Sequence, residues 1–330
     1  MRRRDFLTGV GATASVAAAD GSVCTATAQR SQRMRRLGLL TLAAGPAHRH
    51  EVFETTLRTF GYREGDNLLI ERRYAAGRFD RLPALAADLV RANVDVIVTE
   101  STPPALAAKQ ATTVIPIVMA TSGDAVRTGL VESLARPGGN VTGMTFAGPE
   151  LVGKKLELAR ELRPQMRRIA WFGNAATVPE QISFVELKKT AATVGADAVF
   201  IDVRVAESFA SGFATMAATG VDAMIVAETT VNLEALDQII ALAAQHDVVA
   251  VYGRREFVDA GGVVSHGPDF NDLFRGAAFF VDRIFQGANP ADLPVRLPMK
   301  FEIVVNLKAA RLLGLTIPRS LLVRADAVIK

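Results

Sequence analysis

Apolar residues in this chain fall into two kinds of run, and their alternation predicts the fold. Short continuous runs rich in Val, Ile and Leu predict strands at residues 37–42, 68–74, 94–99, 115–119 and 141–145. A second set lies at 168–172, 197–203, 223–226, 248–251 and 262–265. Between them, apolar residues recur at helical spacing over 51–60, 80–92, 150–162, 183–194, 207–218, 233–245 and 271–285. In the first of these helices Val52, Phe53, Thr56, Leu57 and Phe60 share one face. Runs such as Val96-Ile97-Val98 and Met224-Ile225-Val226 are continuous, not alternating. Strands of that kind are buried on both faces, which predicts parallel sheets with helices on either side. The expected fold is therefore α/β, with two doubly wound parallel-sheet lobes joined by a hinge. About ten strands in two sets of five are expected, and residues 301–306 are one further candidate.

Punctuation divides the chain. Gly and Pro cluster at Arg136-Pro137-Gly138-Gly139-Asn140 near the end of the first set, and Gly267-Pro268 follows the second. The expected organisation is a leader over 1–28, a first lobe over 29–145 and a second lobe over 146–267. Residues 268–290 are expected to return to the first lobe. The Pro-punctuated tail, 291–330, is expected to cross the hinge onto the second.

The leader rests on Arg3-Arg4-Asp5-Phe6-Leu7, a weakly apolar stretch rich in Ala, Gly and Thr, and then Ala26-Thr27-Ala28. In that order these read as a bacterial twin-arginine export signal cut before Gln29. A basic tail with a chance arginine pair is the plainer alternative. The apolar run is interrupted by Asp20 and falls short of the roughly 20 apolar residues of a spanning helix. The single cysteine, Cys24, lies inside this segment. Lipidation there is a second alternative, although Gly21-Ser22-Val23 is a poor lipoprotein pattern. After cleavage the chain has no cysteine to oxidise, and about 300 residues is enough to build a core without disulfides.

The net charge is +4 at pH 7, from 38 basic and 34 acidic residues spread along the chain. No clustered basic face points to a nucleic-acid partner. Glycine-rich phosphate loops, Gly-x-Ser-x-Gly and His-Glu-x-x-His are all absent from the sequence. No cofactor, metal site or catalytic set is expected. His48 and His50 read as residues of a solvated turn entering a helix, and His246 as a helix end.

In open α/β sheets ligands bind beyond the carboxyl ends of the strands. Those positions here are small or polar. Ser101 and Thr102 follow the third strand, ahead of Pro103-Pro104, and suit a helix start that presents free N–H groups to a carboxylate. Asp124 and Glu228 each place one acid near a strand end and are candidates for a ligand ammonium or hydroxyl. Asn174 and Tyr252 add an amide and an aromatic ring, and Phe146 adds another ring. Each also has a plain structural reading as a cap, a solvated loop or core. Trp171 and Phe172 are adjacent in a strand, so they face opposite ways.

Several segments together resemble one family. They are Arg136-Pro137-Gly138-Gly139-Asn140-Val141-Thr142-Gly143, the stretch from Ser101 to Thr112, Tyr252-Gly253-Arg254-Arg255-Glu256-Phe257-Val258, Phe301-Glu302-Ile303-Val304-Val305-Asn306-Leu307-Lys308 and Leu313-Gly314-Leu315-Thr316-Ile317-Pro318. In this order they resemble the tryptophan/tyrosine/phenylalanine-type substrate-binding proteins of ABC transporters. The resemblance implies the type I periplasmic binding protein fold and a monomeric receptor that closes on a small molecule. It also implies delivery to an ABC permease in the inner membrane. One departure is His266, where tyrosine is expected before Gly267-Pro268. It borders the expected cleft and joins the candidate site. Two other readings stay open: a soluble ligand-sensing partner of a membrane receptor, and an exported α/β enzyme.

Overall fold

The computed structural model describes residues 34–146 and 149–330. The expected export signal over 1–28, with its expected cleavage site and Cys24, lies outside the described residues.

The first sheet consists of β1 (Arg35–Thr41), β2 (Leu68–Tyr74), β3 (Val96–Glu100), β4 (Ile117–Thr121) and β5 (Val141–Gly143). Its order is β2-β1-β3-β4-β5 and every pairing is parallel. Helices α1 (His48–Thr59), α2 (Leu82–Arg91) and α3 (Thr102–Ala111) connect its strands. The central strands β3 and β4 bury both faces, as their continuous apolar runs require, while β2 at the edge carries Glu71, Arg72 and Arg73 and is only partly buried. Val96 and Val98 enter one core with Leu37, Leu39, Phe53 and Leu57, while Ile97 between them enters another with Leu40, Ala86 and Leu89.

The second lobe opens with α4 (Pro149–Leu162), β6 (Arg168–Gly173), α5 (Val178–Thr193), β7 (Asp197–Asp202), α6 (Phe209–Thr219) and β8 (Ala223–Val226). It continues with α7 (Thr230–Glu234), α8 (Leu236–Gln245), β9 (Val249–Tyr252), α9 (Arg255–Asp259) and β10 (Val264–Pro268). Helix α10 (Phe270–Phe285) follows, then β11 (Phe301–Asn306), α11 (Leu307–Leu312), α12 (Arg319–Arg324) and β12 (Ala327–Ile329). The second sheet has the order β12-β11-β10-β9-β8-β6-β7.

Three expectations need correction. The described residues hold five and seven strands, not two sets of five: β11 is the further candidate expected at 301–306, and β12 was not expected. β11 runs antiparallel to β10, so that sheet is mixed. The helix expected over 233–245 is broken at Ala235 into α7 and α8.

The chain passes between the sheets after β5, after β10 and before β11. Helix α10 lies on the first sheet, where Phe270, Leu273, Phe274, Ala277, Phe280 and Val281 join the core of α1, β1 and β3. Asp269 caps it by accepting from the backbone N–H of Asn271 and Asp272. The strands before it and after its connector belong to the second sheet, so α10 anchors two of the crossings to the first lobe. Met144 and Arg296 form a bridge beside β5, and Thr142 Oγ1 donates to Leu293 O at 2.7 Å. The connecting segments are thus tied to one another.

Phe274 is fully buried and packs edge-on against His50. Phe274→Ala should lower unfolding stability by about 3–5 kcal/mol. Urea denaturation checks this, and a loss below about 1 kcal/mol would mean that α10 is not integral to the first lobe.

Candidate functional site

The carboxyl ends of both sheets meet at one cavity of about 890 Å³, its solvent mouth included. The first lobe contributes Ser101, Thr102, Thr121 and Asp124, and the second contributes Lys155, Trp171, Glu180 and Glu228. Phe146 and Phe270 stand at the crossings. Its lining, apolar side chains with a few convergent polar groups, suits a small ligand with apolar bulk and a few polar anchors.

On the first lobe, Ser101 is the N-cap residue of α3, but its side chain makes no capping bond. Its φ of 72° and ψ of 168° lie in a region normally left to glycine. Its Oγ is buried without a hydrogen-bond partner within the described protein. Thr102 Oγ1 lies 3.0 Å from Ser122 Oγ and accepts from the backbone N–H of Gly123 at 3.2 Å. The prolines at the start of α3 have no N–H to satisfy, so the turn is set by chain geometry rather than by a side-chain cap. Asp124 also has positive φ, and its Oδ1 accepts from Arg127 N at 3.0 Å. Phe146 packs edge-on against Phe270, with ring centres 5.8 Å apart.

Beneath Ser101 lies a carboxylate with a structural role. Glu100 is buried and accepts from Thr41 Oγ1 at 2.7 Å, from the Arg49 guanidinium and from His50 Nε2. His50 Nδ1 accepts from Ala47 N, which leaves Nε2 as the donor. Burial pushes the Glu100 carboxyl up, but the His50 hydrogen bond and the Arg49 charge outweigh it and hold it down at about 2. His50 is therefore not the solvated turn residue expected from sequence; it sits on the apolar face of α1, three residues before Phe53.

On the second lobe, Lys155 is buried and pairs with Glu228. Trp171 Nε1 donates to Glu180 Oε2 at 2.6 Å, and both residues are buried. Two glycines make room for these acids. A Cβ at Gly173 would collide with the Glu180 carboxylate, and one at Gly253 with that of Glu228. Burial pushes the Glu180 carboxyl up to about 8, with the neighbouring Glu228 charge adding to the rise and the Trp171 hydrogen bond and Lys155 opposing it.

Five of the eight residues singled out from sequence line the cavity: Ser101, Thr102, Asp124, Phe146 and Glu228. Three do not. Tyr252 is buried in the core beneath the second sheet, stacked on Phe257 at 4.5 Å. Asn174 is turned into its own loop, where its side chain accepts from Ala176 N. His266 stands in the antiparallel ladder opposite Ile303, where burial and the Lys155 charge push it below its usual pKa. Sequence reasoning missed Lys155 and Glu180. A signal existed for each. Lys155 falls on the apolar stripe of α4 with Leu151, Leu158 and Leu162, and Glu180 follows Pro179 in the first turn of α5, which begins at Val178, ahead of the helix expected from 183.

A family model described as ABC transporter substrate binding protein matches residues 44–329. The chain belongs to that family: it is the substrate-binding component of an ABC transporter, with the two-lobed type I periplasmic binding protein fold, and not a catalyst. It is 26% identical over 278 residues to a tyrosine-binding protein of Clostridioides difficile (strain R20291), covering 84% of this chain and 80% of that one. A conserved domain protein from Vibrio cholerae superposes with a TM-score of 0.84 at 28% identity, covering 90% of this chain and 100% of that chain. A Streptococcus pneumoniae ABC domain in complex with L-Trp superposes with a TM-score of 0.81 at 26% identity, covering 89% and 99%.

Glu180 predicts a pH dependence. In the unfolded chain its carboxyl titrates near 4.5, and in the folded protein at about 8. Between those values the folded state holds a proton that the unfolded state has lost. Glu180 therefore lowers stability as pH rises from about 4.5 to about 8, by at most about 1.4 kcal/mol per unit. Glu180→Gln should abolish this component. Urea midpoints of both proteins from pH 5 to 9 check it, and parallel curves would contradict it.

Proposed function

We propose that this protein is an exported receptor that captures a small carboxylate-bearing aromatic ligand, an aromatic amino acid or an aromatic acid, and delivers it to an inner-membrane permease. The observation that carries this reading is Ser101: a strained residue with a buried, unpartnered hydroxyl at a cavity shared by two lobes. Strain of about 1–3 kcal/mol at one residue persists where function or packing holds it in place. Ser101 and Thr102, at the start of α3, receive the ligand carboxylate. Phe146, Phe270 and Trp171 give the ligand's apolar part its contacts. Asp124 and Glu228 set the polarity on either side of it. The relatives that bind tyrosine and L-Trp support an aromatic cargo.

Capture proceeds by hinge closure. Residues 34–145 with 268–290 form one rigid lobe, and 146–267 with the tail form the other. A ligand touching both lobes favours the closed arrangement by its differential affinity for it. The twin-arginine pattern and the absence of cysteine after it fit delivery to the periplasm, and the receptor works as a monomer.

The double substitution Ser101→Ala with Thr102→Ala tests the anchor. It should weaken L-tryptophan binding by about 10-fold or more, the equivalent of one or two lost hydrogen bonds to a charged group. Isothermal titration measures it, with circular dichroism confirming the fold. Unchanged affinity would remove these two residues from the site.

A further inference from the structure

Four charged side chains line the cavity among the described residues: Asp124, Lys155, Glu180 and Glu228. Three are acids and one is a base, so the cavity's ionisable groups are unevenly matched. Their partners differ. Glu228 is neutralised by Lys155, whose only ion pair among the described residues it takes. Asp124 accepts from Arg127 N and lies 3.8 Å from the Arg127 guanidinium. Glu180, the most buried of the three acids, has no cation paired with it among the described residues; its hydrogen bond comes from the neutral Trp171 indole.

We propose that Glu180, oriented by the Trp171 indole, receives the ammonium group of the ligand, so that the cavity selects aromatic amino acids over the corresponding acids that lack the amino group. This rests on the cleft reading above, and it decides between the two ligand classes left open there. A buried carboxylate needs a counter-charge, and the pair is stabilising only when both ions are hydrogen-bonded and held in place. The indole N–H supplies one of those bonds, and the ligand ammonium supplies the charge. A benzoate-like anion would instead bring a negative charge into a cavity already rich in acids.

Capture has a proton consequence. The groups facing Glu180 are Trp171 on β6, Lys155 on α4 and Glu228 beyond β8. At neutral pH burial keeps Glu180 protonated in the empty cavity. An arriving ammonium ionises it, and the proton passes to solvent. Affinity for an amino-bearing ligand should therefore rise with pH up to about 8.

Isothermal titration of the purified protein with L-tryptophan and indole-3-propionate tests this. Wild type should prefer L-tryptophan by about 10- to 100-fold, the range for one charge-assisted contact. Glu180→Gln should lose most of that preference and keep its affinity for indole-3-propionate. Titrating wild type at pH 7 in buffers of different ionisation heat should show proton release with L-tryptophan only, a readout that needs no variant to fold. Equal affinities in wild type, or a preference retained in the Gln variant, would overturn the proposal. If indole-3-propionate binds and L-tryptophan does not, the aromatic cleft stands and the ammonium assignment falls. If L-leucine binds in a Glu180-dependent way and neither indole compound does, the aromatic reading falls and Glu180 stands.

Discussion

Parallel pairing constrains everything else in this molecule. Parallel neighbours end on the same edge, and helices cover both faces, so polar side chains gather where strands stop. Here two such edges face one cavity. The strands supply apolar runs such as Val96-Ile97-Val98, and the residues just beyond them supply Ser101, Asp124 and Glu228. The crossings then fix which edge meets which. α10 belongs to the first lobe's core although the strand before it belongs to the second sheet.

The buried acids at this edge are held in different ways. Glu100 is tied by Thr41, Arg49 and His50, all from its own lobe, and supports the turn that carries Ser101. Glu228 is balanced by Lys155 over the space left by Gly253. Among the described residues Glu180 has one hydrogen-bond partner, the Trp171 indole N–H, in the space left by Gly173. The first two carry their compensation within the protein. The third fits a site whose last partner comes from outside.

Much of the fold was legible because the signal is local. The strands at 68–74 and 223–226 have the boundaries expected from the sequence, although only the second is apolar throughout. The α7–α8 break was not legible, because Ala235 gives no turn signal of its own. The antiparallel β11 was also hidden, since direction depends on a distant partner and not on the run itself. Strand-end position picked out Ser101, Thr102, Asp124 and Glu228, which line the cavity. It failed for Tyr252, because the last residue of a strand can turn either way and this ring turns into the core. Lys155 and Glu180 were missed because a charged residue in a helix is ordinarily solvated, and their burial becomes visible only when Trp171 and Glu228 are brought beside them.

In the proposed mode of capture one ligand bridges the two strand-end edges and holds the lobes together. Small-angle scattering of the purified protein, with and without saturating L-tryptophan, tests it most directly. The radius of gyration should fall when the ligand binds. An unchanged radius, with binding confirmed in the same sample, would contradict it.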